Sequence, residues 1–172
     1  MQLTKEQRKW IDELKSGRYN QCEGFLKTKN GKNTSYCCLG VACETFKRRC
    51  HLKQVIEESH VEFVNSEGGS YDSYLPYDIQ DILRIDDSGH RTVGAPFGYY
   101  RFGDGKVEFM EEISHHLEAN IDRGHVKHGK YIYWQTLPLI SYNDSGMTFE
   151  QIAMILETYP SHYFTSDAGE AN

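Results

Sequence analysis

The sequence predicts a single α+β domain, with a small antiparallel sheet of about four strands packed by four or five helices. Two capping boxes, each followed by apolar residues at helical spacing, predict helices near both ends of the chain. Near the middle, a glycine-rich turn between two alternating segments predicts a β-hairpin. The length of 172 residues suits one hydrophobic core, and no long linker or internal repeat divides the chain.

The first element is an amphipathic helix near the N-terminus. Its capping box runs from Thr4 to Gln7, and Gly17 stands where a glycine ends many helices. The apolar residues at helical spacing are Trp10, Ile11 and Leu14. The polar segment 18–34 then predicts a loop, within which Asn30-Gly31 favours a tight turn.

A second helix is predicted to start at Cys38. Its apolar positions recur at helical spacing, at Leu39, Ala42, Cys43 and Phe46. Three of the five cysteines fall at this helix, namely Cys37, Cys38 and Cys43. Because free cysteine is a common small core residue, the cluster predicts close packing beside Gly40. The odd number of cysteines and their clustering also predict that no structural disulfide forms.

The next segment predicts a strand and then a helix. Residues 61–64 have the composition of a short strand, and a turn rich in glycine and serine follows them. A helix is predicted to begin at Leu75-Pro76, since proline is tolerated in the first turn, and to end near Ile85.

The hairpin in the middle of the chain is the best strand signal. Gly103-Asp104-Gly105 predicts a three-residue loop, because these residues accept positive φ angles. The two strands cover 99–102 and 106–109. A fourth helix is predicted from apolar residues at helical spacing, at Met110, Ile113, Leu117 and Ile121.

The C-terminal part predicts one more strand and one more helix. The strand covers residues 131–135, and the helix starts at a second capping box, from Thr148 to Gln151. Pro160 ends this helix. The folded domain is therefore expected to span 1–164, and 165–172 is expected to be a disordered tail.

Charge and hydropathy exclude several classes of function. The net charge of −6 has the wrong sign for a protein that binds duplex nucleic acid. No stretch approaches the about 18 apolar residues of a membrane span, and the N-terminus lacks a signal pattern. The sequence thus predicts a soluble intracellular protein without a membrane partner.

Ordered blocks of the sequence resemble a widespread family of small tailed-bacteriophage proteins that have no assigned activity. The blocks are Trp10–Tyr19, Tyr36–Cys43 and Leu139–Phe149, with a fourth match at Leu75-Pro76, Ile79 and Leu83. The resemblance implies a phage accessory protein in the cytoplasm of an infected bacterium. The segment from about 86 to 135 has no counterpart in the simpler members and is interpreted as an elaboration.

A compact, acidic, tyrosine-rich phage protein is expected to act on its host by binding. It would inhibit a component of host defence or replication, either by capturing a host protein or by sequestering a small nucleotide signal. A nucleotide needs basic groups beside aromatic rings. The candidates are Tyr99, Tyr100, Arg91, Arg101, Lys106 and Arg123. Asn143 and Asp144 are further candidate ligand-binding residues, although a turn that places Thr148 at its cap is the favoured explanation of this segment.

A thiol hydrolase is the alternative prediction. Cys38 at the start of a helix and His125 before a later strand resemble the arrangement in NlpC/P60 enzymes, with Cys38 as nucleophile and His125 as base. A structural zinc site is a third possibility, using the clustered cysteines with His125 and His128, but the chain has no Cys-x2-Cys pair. We therefore expect neither a metal nor another cofactor.

Overall fold

The computed structural model describes residues 1–85 and 97–165, and it confirms the α+β prediction. Six α-helices and ten strands in three small sheets surround one continuous hydrophobic core within these residues. The helices are α1 (Lys5–Lys15), α2 (Cys38–Phe46), α3 (Tyr77–Leu83), α4 (His115–Glu118), α5 (Leu139–Asp144) and α6 (Phe149–Thr158). None of the helices in the described residues is long and apolar enough to span a membrane.

The ten strands are short. They are β1 (Asn20–Gln21), β2 (Lys27–Asn30), β3 (Asn33–Tyr36), β4 (Lys53–Ile56), β5 (Val61–Val64), β6 (Ser70–Tyr71), β7 (Tyr99–Gly103), β8 (Lys106–Met110), β9 (His125–His128) and β10 (Tyr131–Gln135). The sheet orders are β1-β3-β2, β4-β5-β6 and β8-β7-β10-β9. All pairs are antiparallel except β1 with β3, which run parallel.

Both predicted capping boxes are formed. The Thr4 hydroxyl accepts the backbone N–H of Gln7 at 3.2 Å, and the Gln7 side chain accepts the N–H of Thr4 at 2.8 Å. Thr148 and Gln151 make the same reciprocal pair at the start of α6. The two helices also pack against each other, so the well-specified N- and C-terminal elements meet in the core.

The predicted hairpin forms one half of the four-stranded sheet, with β8 at the edge and β7 beside β10. Its loop has two residues rather than three, because Gly103 pairs with Lys106 across the strands. Asp104 and Gly105 both have positive φ angles, of 52° and 71°, as a two-residue hairpin turn requires. The Asn30-Gly31 turn likewise connects a hairpin, formed by β2 and β3, within the segment predicted as a loop.

The fourth helix is much shorter than the prediction from Met110 to Ile121. Only four residues form α4, and none of them is buried. Met110 belongs to β8 instead, where it pairs with Tyr99. The partly buried side chains of Ile113, Leu117 and Ile121 lie in and around a short helical turn, so their helical spacing does not produce one long apolar face.

The region around Asn143 also differs from the prediction. A short helix, α5, contains Asn143 and Asp144, and the turn begins only at Ser145. Thr165, the first residue of the predicted tail, donates its backbone N–H to the Arg84 carbonyl at 2.8 Å. The remaining tail, 166–172, and the segment 86–96 with Arg91 lie outside the described residues.

Candidate functional site

The cysteines at the start of α2 are core residues, as their clustering predicted. Cys37 is the N-cap of α2, and its sulfur accepts the backbone N–H of Gly40 at 3.3 Å. The fully buried Cys38 thiol donates to the Leu139 carbonyl at 3.6 Å. Burial raises the pKa of Cys37 to about 12 and the pKa of Cys38 well above its ordinary value. A reactive thiolate is therefore strongly disfavoured.

His125 does not assist Cys38. Its ring stacks on Trp134 with the ring centroids 4.3 Å apart, and no hydrogen bond joins it to Cys38 among the described residues. The part of the chain that the structure describes also contains no group of three or more His, Cys, Asp or Glu residues placed to hold a metal. The candidate Cys38 and His125 pair is thus not assembled.

The two tyrosines predicted to stack on a ligand are buried, which corrects that prediction. The Tyr99 hydroxyl donates to Glu118 at 2.8 Å, and burial together with this carboxylate raises the pKa of Tyr99 to about 12. Tyr100 is fully enclosed and shares a hydrogen bond with Nδ1 of His162. Neither ring offers a free face to a nucleotide base.

The predicted cations lie on or near the outer face of the four-stranded sheet. Arg101 forms an ion pair with Glu108 and lies over the Tyr131 ring, 4.9 Å from its centroid. Lys106 is exposed beside them and lines a shallow pocket of about 260 Å³. Arg123 is exposed in the turn before β9. Glu108 already neutralises Arg101, whereas Lys106 and Arg123 form no ion pair within the described residues.

Asn143 is buried and holds three segments of the chain together. Its Oδ1 accepts the backbone N–H of Cys38 and the side-chain amide of Gln21, both at 3.1 Å. Its Nδ2 donates to the Cys22 carbonyl at 2.7 Å. Asp144 accepts the backbone N–H of Gly24 at 3.1 Å. Asn143 and Asp144 therefore use their polar groups within the protein.

The same packing extends to the other sequence blocks. The Trp10 indole donates to the Cys38 carbonyl at 3.1 Å, which ties α1 to the start of α2. The buried Gln7 side chain donates to the Leu83 carbonyl at 2.8 Å, at the end of α3. These hydrogen bonds thus join α1 to the start of α2 and to the end of α3.

An open groove of about 620 Å³ lies between α1 and the end of α2. Three carboxylates line this α1–α2 groove, and each has a partner. Glu6 pairs with Arg49 at 2.9 Å. Glu13 pairs with Arg18 and accepts the Tyr19 hydroxyl at 3.1 Å.

The third carboxylate, Glu44, is held by several groups. Burial opposes its ionisation, but Lys47, Lys27 and Gln54 outweigh burial and lower the pKa of Glu44. The groove therefore has no unpaired carboxylate among its lining residues.

The remaining cations of the α1–α2 groove are not neutralised. Lys5, Lys9 and Arg48 are exposed and form no ion pair with the described residues. The Lys9 ammonium lies over the Phe46 ring, 5.5 Å from its centroid. On an acidic chain, this groove combines surplus positive charge with aromatic side chains, which is the combination expected for an anionic aromatic ligand.

One family model matches residues 2–160, and it describes a domain of unknown function, DUF8296. The chain belongs to the DUF8296 family. The match includes both helices that form the groove and the segment 86–135 that sequence comparison suggested as an elaboration. Neither the search of curated proteins nor the search of solved structures found a match to this DUF8296 chain.

Sequence reasoning missed the groove of the DUF8296 chain, although part of its signal was present. The Lys47-Arg48-Arg49 run is the longest basic run in the sequence, and Lys5 and Lys9 are one helical turn apart. What the sequence could not show is that α1 packs beside α2, which brings these two sets of cations to one surface.

Proposed function

We propose that the DUF8296 chain is a bacteriophage accessory protein that acts in the cytoplasm of an infected bacterium by binding without turnover. Its ligand is a small nucleotide signal of host defence, which it sequesters in the α1–α2 groove. The observation that carries the proposal is the set of unpaired cations in this groove, namely Lys5, Lys9 and Arg48. The resemblance of the sequence blocks to phage proteins supports the biological setting.

The dimensions and chemistry of the groove suit such a ligand. Its volume of about 620 Å³ lies within the range of about 300–1,000 Å³ typical of small-molecule sites. Lysine and arginine bind phosphate through charge-assisted hydrogen bonds. The half-buried Tyr19 ring, held edge-on by Tyr36 at 5.1 Å between centroids, lines the same groove and can contact a base.

The binding proposal is tested by titration calorimetry with mononucleotides and cyclic dinucleotides. We expect saturable binding of at least one nucleotide, which weakens as salt screens the exposed cations. Lys9→Glu and Arg48→Glu should each weaken it by about tenfold, because each replaces a cation in the groove with an anion. Lys127→Glu is the matched control, since it changes the net charge equally on β9 of the separate four-stranded sheet. Equal affinity of all three variants, or no binding, would contradict the proposal.

The alternative function, a Cys-His thiol hydrolase resembling NlpC/P60 enzymes, makes a different prediction. A nucleophilic Cys38 would react with iodoacetamide in the native protein. Because Cys38 is buried with a raised pKa, we expect alkylation only after denaturation. Rapid native labelling of Cys38, located by mass spectrometry, would instead favour the hydrolase.

Capture of a host protein is the second candidate mode of binding. It is favoured by two exposed tyrosines, Tyr74 and Tyr77, which are 39% and 69% exposed and surround the buried Tyr71. Tyrosine is frequent at the energetic centres of protein interfaces. If this surface binds a host protein, Tyr77→Ser should abolish its recovery in a pull-down, whereas Lys9→Glu should not.

A further inference from the structure

The strand β4 forms an open edge of the β4-β5-β6 sheet. Its four residues are exposed, and it pairs only with β5 among the described residues. Two of its side chains are apolar, Val55 at 41% exposure and Ile56 at 60%. An exposed strand edge with apolar side chains is a template for pairing with another strand.

The hydrogen-bond direction along β4 follows from the turn that connects it to β5. The backbone N–H of Glu57 donates to the His60 carbonyl at 3.0 Å, so Glu57 faces β5. Because bonding alternates along an antiparallel ladder, the backbone groups of Val55 and Lys53 also face β5. The N–H and C=O groups of Gln54 and Ile56 therefore point outward, and no described residue bonds to them.

We propose that two copies of the chain pair through β4, antiparallel, about a two-fold axis at Val55. This register places Gln54 of each copy opposite Ile56 of the other, which are the residues whose backbone groups are free. Each of these two pairs exchanges two hydrogen bonds, so four form in total. The two Val55 side chains meet at the axis, and both exposed apolar side chains of each copy become covered.

Charge complementarity supports a second copy as the partner. Lys53 and Glu57 lie two residues on either side of Val55, so this register places each Lys53 opposite Glu57 of the other copy. Neither side chain forms an ion pair within the described part of its own chain. A symmetric register centred on Gln54 or Ile56 would place neither lysine opposite a glutamate. The strand is thus self-complementary in both backbone and charge.

Sedimentation velocity across a range of protein concentrations tests the proposal. We expect a reversible species of twice the monomer mass at high concentration. Lys53→Glu should raise its dissociation constant by about tenfold or more, because symmetry converts two favourable cross-strand pairs into two repulsive ones. The charge swap Lys53→Glu with Glu57→Lys restores both pairs, so it should return the dissociation constant to near that of the original protein. Lys127→Glu is the control for net charge and should have no effect.

A backbone variant tests the same register without changing charge. Ile56→Pro removes an N–H that points away from β5, and proline is tolerated at such positions of edge strands. It should abolish the dimer while circular dichroism shows the fold retained. If Ile56→Pro does not fold, the charge variants still test the register. The dimer should be weakened by Lys53→Glu and restored by Lys53→Glu with Glu57→Lys. A monomer at all concentrations, or equal dissociation constants for Lys53→Glu and Lys127→Glu, would overturn the proposal.

Discussion

At the scale of single residues, the side chain of Asn143 is the most connected polar group in the core. One carboxamide accepts two N–H groups and donates to the Cys22 carbonyl, so it satisfies backbone atoms that secondary structure leaves unpaired. One of them is the N–H of Cys38, at the first turn of α2, where helices have no internal partner for their N–H groups. Sequence reasoning placed Asn143 in a ligand loop or a turn, and its role within the core requires the folded structure.

Removing the Asn143 carboxamide should therefore destabilise the folded protein. In Asn143→Ala, the Cys38 N–H and the Cys22 carbonyl lose their partners in a buried site, and we expect a loss of about 2–4 kcal/mol in the free energy of unfolding. Urea denaturation measures it. Gln21→Ala is the matched control, because it removes one partner of Asn143 from an exposed position and should cost less than about 1 kcal/mol. Similar values for the two variants would show that the buried contacts are replaced by water.

At the scale of elements, the close approach of α2 to the segment before β2 depends on one glycine. A Cβ atom at Gly40 would lie 1.6 Å from the Leu26 carbonyl oxygen, a distance that backbone atoms cannot accommodate without moving. The same carbonyl accepts the N–H of Cys37 at 3.1 Å, so the helix cannot shift away without losing this bond. The glycine thus sets the distance between α2 and its neighbour.

This close contact predicts whether replacing Gly40 by alanine stabilises or destabilises the protein. Helix propensity alone would make Gly40→Ala stabilising by about 1 kcal/mol, because alanine is the better helix former. We expect the opposite, a loss of about 3 kcal/mol or more, since the added methyl group overpacks a close backbone contact. Thermal and urea unfolding distinguish the two results, and a more stable Gly40→Ala variant would show that the approach is looser than described.

The elements that sequence predicted correctly are those with local signals. Both capping boxes involve residues three apart, and the central hairpin depends on a turn with two residues at positive φ. The predicted helix from Met110 to Ile121 is wrong because Met110 pairs with Tyr99 in the sheet, and this pairing outweighs helical spacing. The strands β4 and β9 were missed, since their alternation is weak and their partners are required to recognise them.

The candidate site was predicted less well than the fold. An aromatic residue next to basic residues can face either a ligand or the core, and Tyr99 and Tyr100 face inward. The α1–α2 groove combines residues from two helices, and no local pattern states which helices are neighbours. The sequence blocks Trp10–Tyr19, Tyr36–Cys43 and Leu139–Phe149 were informative about structure, because they contain the contacts that Asn143 and Trp10 make with Cys38.

At the scale of the whole molecule, the C-terminal segment is held to the four-stranded sheet by a histidine. His162 follows α6 in a short 3-10 turn, shares a hydrogen bond with the Tyr100 hydroxyl and stacks on Tyr159 with 5.2 Å between centroids. Burial lowers the pKa of His162 below its ordinary value of 6.5, because an imidazolium would lose hydration there. The neutral ring is therefore the form that stabilises the fold.

The lowered pKa of His162 predicts how the stability of the protein depends on pH. A lowered pKa in the folded state means that the contribution of His162 is complete above pH 6.5 and is lost as the pH falls through the folded value. We expect the melting temperature to decrease between pH 7 and pH 5, and to decrease less in His162→Gln, which cannot gain a proton. Three carboxylates have lowered pKa values, namely Glu6, Glu44 and Asp104. They lose their contributions to stability only below about pH 4.5, which lies outside the range from pH 7 to pH 5. If the melting temperatures of the original protein and of His162→Gln decrease equally with pH, groups other than His162 cause the decrease.

The contacts of Asn143 also order events during synthesis of the chain. Cys38 precedes Asn143 by 105 residues, and Gln21 precedes it by 122. A ribosome adds about 5–20 residues per second, so α2 emerges seconds before the side chain that completes its first turn. During that interval Cys37 is the N-cap available within α2 itself, through its bond to Gly40. The bond between Asn143 and the Cys38 N–H can therefore form only after the C-terminal half of the chain has been made.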